Sequence, residues 1–208
     1  MAIAQQVRAA DACRLCIERK ASLSPFSCSG SHDGPEGLPG VAVDAIHRLV
    51  TDPGRLSKKW YASLEGEGLS SERYVELLGV VVTVVSIDSF CRGLGLPLNP
   101  LPEPLPGEPS HYRPEGVEER GAWVPWIAGG GEASAERDLF EGLPGRSGNV
   151  IRAMSLVPDE VRTLNDLSAA HYMAPGDAID PRWSPFAIDR LQIELLAGRV
   201  SALRECFY

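Results

Sequence analysis

The chain has 208 residues and a formal net charge of −8, with 20 basic residues against 28 acidic ones. That length supports one generous domain or two small ones, each with a real core, and the acidic balance leaves no basic stripe for a phosphate backbone, so nucleic acid is not an expected partner. The longest apolar run, residues 77–87, is interrupted by Gly79, Thr83 and Ser86 and is about half a bilayer span, so no membrane partner is expected.

The first predicted element is one amphipathic helix over residues 2–22, with Ile3, Val7, Ala10 and Ile17 on its apolar stripe. Gln5, Gln6, Arg8 and Asp11 break any continuous apolar stretch at the start. No export signal is expected, and a reducing cytoplasm is the expected compartment. Serine, proline and glycine then dominate 22–40 as a loop. Helices are predicted over 41–50 and 54–64, the second opened by Asp52 and Pro53 as N-cap and first-turn proline. A long helix over 71–94 follows, started by Ser70 and Ser71 and closed by Gly93 and Gly95. Its valine run could be mistaken for a strand, but Tyr74, Leu77, Leu78, Val81, Val85 and Phe90 keep the helical period on both sides.

From 97 to 131 eight prolines and clustered glycines replace periodicity, as in an extended arm. Trp123 and Trp126 imply that part of this arm docks on a surface. Helices resume over 134–141, 150–157, 158–172 and from 185 to the C-terminus. No alternating run flanked by hairpin turns stands out, so the expected fold is all-α. It reads as a helical lobe over 1–96, a Pro/Gly-rich linker arm over 97–133 and a second helical lobe over 134–208.

Five cysteines are an odd number, and Cys13 and Cys16 are spaced as a redox or metal pair rather than as a structural staple. One metal reading takes Cys13, Cys16, Cys28 and His32 in the order of a zinc site, the loop folding back to close a tetrahedron. In this reading of the residues Cys91, His47 and His171 belong to helices, as packed or surface groups. His32 has a second use, because a loop could bring it to Cys16.

The two ends of the chain also echo each other. Residues 1–15 and 194–208 share Ala4/Ala197, Val7/Val200, Ala9/Ala202 and Cys13/Cys206, with apolar matches at Ile3/Leu196, Ala10/Leu203 and Leu15/Tyr208. Glu194 precedes Cys206 by about 18 Å along a straight helix, so the two can meet only through a kink, a relay or another subunit.

The segment from Glu194 to Tyr208 resembles the core motif of AhpD-like alkylhydroperoxidases and the related carboxymuconolactone decarboxylase superfamily. That motif is a glutamate, eleven residues, a CxxC pair, three residues and a histidine. Residues 148–208 are similar to the helices that precede the motif in the peroxidase-related branch, and residues 38–98 to those that follow it. The resemblance implies AhpD-like helical lobes in a homo-oligomer that reduces a hydroperoxide substrate at the expense of a dithiol or protein reductant, with no metal or flavin. Carried over residue by residue, it makes Cys16 the attacking thiol and Cys13 the resolving one. Glu194 becomes the relay glutamate of the second copy and Cys206 its resolving cysteine, with His32 standing in for the family histidine. The first copy has Met1 at the glutamate position and Lys20 at the histidine position, while the second stops at Tyr208. Each half supplies what the other lacks, as expected of a piece of a longer two-copy protein or of a copy that has lost its relay. The alternatives from other classes are a catalytically degenerate helical scaffold and a structural zinc-binding protein.

Overall fold

The computed structural model of the chain describes residues 1–108, 110–119, 121–127, 135–140, 148–203 and 206. It is mostly helical. In chain order the elements are α1 (Ala2–Ala10), α2 (Arg14–Ala21), α3 (Gly40–Thr51), α4 (Lys58–Gly66), α5 (Ser71–Gly93), the strands β1 (Val117–Glu118) and β2 (Trp126–Ile127), then α6 (Asn149–Met154), α7 (Pro158–His171), α8 (Pro175–Ala178) and α9 (Arg190–Leu203).

The long predicted helix is α5, and its ends follow local chemistry. Ser70 Oγ accepts the Arg73 N–H at 3.4 Å, satisfying one free donor of the first turn. At the other end Gly95 takes φ +68° and the Leu96 N–H returns to the Cys91 carbonyl at 2.8 Å, the wrap-around closure that glycine permits. By length and composition α5 could cross a bilayer, with mean hydropathy 1.8, and 44% of that stretch is buried inside the fold. It is the central packing element, touching α1, α3, α6 and α7.

Four sequence expectations shift. The single helix over 2–22 divides into α1 and α2, with Asp11 and Ala12 in a turn and Cys13 extended at ψ 123°. Helix 54–64 begins later, because Pro53–Arg55 forms a 3-10 turn and Ser57 caps α4 by accepting the Trp60 N–H at 3.2 Å. The arm is not helical, as expected, yet it carries a short antiparallel pair in which Val117 faces Ile127. Ser155, fully buried, accepts the Ile127 N–H at 2.9 Å and donates to the Arg152 carbonyl at 2.7 Å, tying the arm to α6. Of the predicted helix at 134–141, the described part is a 3-10 turn, Arg137–Phe140, while 134 and 141 lie outside the described residues. The same holds for all of 128–134 and, beyond α9, for 204, 205, 207 and 208.

One apolar core draws on all three expected segments. It includes Val7 of α1, Ile46 of α3, Val75 and Val81 of α5, Val124 and Ile127 of the arm, Leu156 between α6 and α7, and Val161 in the first turn of α7. Burying side chains of this size stabilises by about 1.5–3 kcal/mol each. Arg8 of α1 grips the buried Asp88 of α5 through Nε at 2.9 Å and Nη2 at 2.8 Å, and also donates to the Asn99 carbonyl of the arm at 2.7 Å.

The α5–α7 crossing holds an acid against a glycine. A Cβ at Gly79 would fall inside the Glu160 carboxyl, so the absence of a side chain there makes the room. Burial, and then the neighbouring Glu76 and Asp159, push the Glu160 carboxyl up to about 7 from its ordinary 4.5. Between these two values the folded chain binds more protons than the unfolded one, so stability falls as pH rises and the loss is complete above about 7. Allowing for the group's partial exposure, the loss is roughly 1–2 kcal/mol. Glu160→Gln is expected to remove this slope, gaining stability over wild type at pH 8 but not at pH 4. Urea midpoints across that range measure it, and parallel profiles for the two proteins would rule it out.

Candidate metal centre

Among the described residues, four side chains converge on one point: Cys13, Cys16, His32 and His47, with Sγ and ring nitrogen atoms all within 4.8 Å of one another. Cys13 is the N-cap of α2 and Cys16 lies in its first turn, so a spacing of three puts both sulfurs on the same side of the helix. His32 comes from the loop between α2 and α3, and His47 from the buried face of α3. His32 Nδ1 is 3.6 Å from Cys13 Sγ and 3.6 Å from Cys16 Sγ, and His47 Nδ1 is 3.2 Å from Cys16 Sγ. A tetrahedral zinc ion with its usual bonds sets sulfur and nitrogen ligands about 3.5 Å apart. These three sulfur–nitrogen separations match the edges of such a tetrahedron, with the four donor atoms as its corners.

The break between α1 and α2 is what aims the cysteines. Asp33, from within the loop after α2, accepts the Arg14 N–H at 2.9 Å and so caps α2 from nineteen residues away, while its own N–H donates to Cys13 Sγ at 3.4 Å. At the other end of α2, Arg55 donates to the carbonyls of Arg19 at 2.9 Å and Ser22 at 2.6 Å. Both termini of this eight-residue helix are thus satisfied by distant groups.

The histidines are oriented by their second nitrogens. His32 Nε2 donates to Asp44 Oδ1 at 3.0 Å, and a carboxylate oxygen can only accept. His47 Nε2 meets Gln6 Oε1 at 2.9 Å, and the Gln6 amide is itself fixed because its Nε2 donates to the Pro35 carbonyl at 2.5 Å. Both rings are therefore assigned the Nε2–H tautomer, which leaves the Nδ1 lone pair facing the sulfurs. This is the outer arrangement that metal-binding imidazoles use. Asp44 is a hub: Arg19 donates to its Oδ1 at 2.6 Å and Arg48 to its Oδ2 at 2.7 Å. Burial would raise its carboxyl, but the bonds from His32, Arg48 and Arg19 hold it well below the usual carboxylate range.

Cys13, Cys16 and His47 are almost completely buried. Burial acts to raise the Cys13 thiol, but the N–H groups of Asp33 and Cys16 and the contact with His32 outweigh it and hold it at about 7. Burial, reinforced by Cys13, pushes the Cys16 thiol up to about 12. Burial, then His32, lowers His47 to about 4, which keeps its ring neutral and free to be a ligand. Two thiolates and two neutral imidazoles around a dication give no net charge, which suits a buried site.

The sequence-predicted residues fare unequally. Cys13, Cys16 and His32 come together. Cys28, the third ligand of the expected zinc order, packs against the cysteine pair but is not in the donor cluster; its carbonyl accepts from Arg19 at 3.3 Å. His47, read from sequence as a packed or surface residue of its helix, occupies the remaining corner. Glu194 is exposed on α9, bound by Arg190 Nε at 2.7 Å, and Cys206 is exposed beyond that helix, so neither belongs to the cluster. The signal available for His47 was its place between Val43 and Val50 on the inward stripe of α3, where a polar ring needs partners. Gln6 on the buried face of α1 was a second such signal. The weight of the assignment rests on this geometry, for no family model, no curated protein and no solved structure matches the chain.

Proposed function

We propose that the chain is a zinc-binding helical protein whose Cys2His2 centre, Cys13, Cys16, His32 and His47, fastens α2 and the loop after it onto α3. The observation that carries this reading is the convergence of four ligand atoms within 4.8 Å, two of them imidazole nitrogens already oriented by Asp44 and Gln6. Four protein ligands leave no open position for water or substrate, so the role is structural rather than hydrolytic. Zinc suits the donors, since two thiolates and two imidazoles in a tetrahedron match its preferences. The protein purified without chelator is expected to hold one zinc per chain by elemental analysis. Cobalt substitution is expected to give the strong visible bands of a tetrahedral thiolate site. Substoichiometric metal combined with an unchanged fold in chelator would end this reading.

A second reading keeps the resemblance to AhpD-like peroxidases, with a homo-oligomer of AhpD-like lobes in a reducing compartment. It is favoured by one feature, the CxxC pair at the start of α2 with His32 Nδ1 3.6 Å from each sulfur. In this reading the metal-free dithiol reduces a hydroperoxide: one thiolate takes the distal oxygen as a sulfenic acid and releases the alcohol, and the other thiol displaces water to form the disulfide. The family pattern gives the attack to Cys16. The N-cap position and the backbone N–H bonds favour Cys13 instead. Peroxide consumption with a dithiol reductant, measured on metal-free wild type and Cys16→Ser, tests it. Equal rates in the two proteins would remove it.

A further inference from the structure

Between the proline arm and the helices lies a cavity of about 540 Å³ that shares no residue with the metal centre. Its walls are apolar for the most part, with Val80, Val84 and Ile87 of α5 on one side and the strap Asn99–Pro104 on the other. The strap is held in place from both sides. Leu101 packs against the core, and Arg8 donates to the Asn99 carbonyl at 2.7 Å.

The polar groups inside are unequal. Arg8 is the side-chain cation among the lining residues, and it is committed to Asp88 and to Asn99. Glu160, on the wall formed by α7, has no hydrogen bond or ion pair to its carboxyl among the described residues, and the charged groups acting on it are the acids Glu76 and Asp159. The carboxyl sits in the space left by the missing side chain of Gly79, with Thr83 and Thr163 lining the same cavity. A half-buried carboxyl without a cation, at the edge of an apolar chamber, is an incomplete pair. An apolar body carrying one ammonium completes it, because the ammonium restores the charge partner and the body displaces water from the aliphatic walls.

We propose that this chamber is a binding site for a primary amine on a short alkyl chain, with the ammonium on Glu160 and the alkyl group against Val80, Val84 and the proline strap. The threonine hydroxyls of Thr83 and Thr163 supply further acceptors for the ammonium protons. The cavity shares none of its lining residues with the four proposed metal ligands, so the proposal stands or falls without the metal reading.

The probe is n-hexylamine, titrated calorimetrically into the protein as purified and compared with 1-hexanol. Saturable binding of one amine per chain is expected, with hexanol at least about tenfold weaker because it cannot supply the charge-assisted bonds. Glu160→Gln, nearly isosteric, should bind the amine about tenfold more weakly while its circular dichroism matches wild type. Amine-induced shifts at the Thr83 and Thr163 methyl resonances locate the site. Absence of saturable amine binding, equal affinity in Glu160→Gln, equal affinity for hexanol, or shifts confined to other residues would each overturn the proposal.

Discussion

Stripping zinc from the wild-type protein is expected to release residues 11–39 while the helices around α5 stay folded. The reason lies in how little apolar burial this segment has of its own. Its cluster consists of Cys13, Leu15 and Cys16 with Cys28 against it, separate from the main core. Fixing a backbone costs about 1–2 kcal/mol per residue, far more than a cluster of that size returns. In the proposed reading metal–ligand bonding supplies the difference, since structural zinc in small modules binds with an apparent free energy of about 10–16 kcal/mol at neutral pH. The main core, with Val75, Ile46, Leu156 and Val161, does not depend on it. Hydrogen exchange should therefore show amides of α2 losing protection in chelator while those of α5 keep theirs. Global stability should fall by roughly 3 kcal/mol or more, which for a chain of this size is about 6–12 °C in Tm. His47→Ala should reproduce the effect, whereas Cys28→Ala should retain a full complement of zinc. Retained protection in α2 after chelation, or zinc lost from Cys28→Ala but kept by His47→Ala, would show that the ligand set is wrong.

Asp44→Ala is expected to be the most damaging substitution outside the four ligands. Its carboxylate receives Arg19, Arg48 and His32 together, and the side chains of Arg19 and Arg48 are only 9% and 10% exposed. Removing one member of a buried ionic group leaves the others uncompensated, at a cost of about 3–5 kcal/mol. Zinc affinity should fall as well, by roughly 10–100-fold, because His32 loses the acceptor that fixes its tautomer. Asp44→Asn, which keeps an acceptor for His32 but not the charge, should recover more of the zinc affinity than of the stability. Urea midpoints and competition with a zinc chelator separate the two quantities. If Asp44→Ala unfolds at the wild-type midpoint and holds zinc equally well, the hub is not what anchors this region.

The helices over 41–50, 71–94 and 158–172 were legible because apolar period and caps agree there, as with Ser70 before α5 and Pro158 opening α7. The division of residues 2–22 was not. Nothing local in Ala10, Asp11 or Ala12 ends a helix; the break is held by Asp33 capping α2 from across the loop. The same limit hid the fourth ligand. Cys13 and Cys16 declare themselves by spacing and His32 by its loop, but His47 lies on a helix whose inward direction becomes known only when α3 is packed against α1. The echo between the two chain ends pointed to Glu194 and Cys206, and neither reaches the cluster: Glu194 is held by Arg190 and Tyr172 on the surface of α9, and Cys206 is exposed beyond that helix.

The four proposed ligands and the side chains that orient their rings, from Gln6 to Arg48, lie within the first quarter of the chain. Fifteen residues separate Cys16 from His32, and fourteen separate His32 from His47. Loops this short are cheap to close, and closing them needs no contact with α7 or the arm. During synthesis the ligands leave the ribosome together, well before Val161 and the rest of the core can be added. On the zinc reading a nascent chain would therefore capture the ion first, and assembly would run from the metal outward.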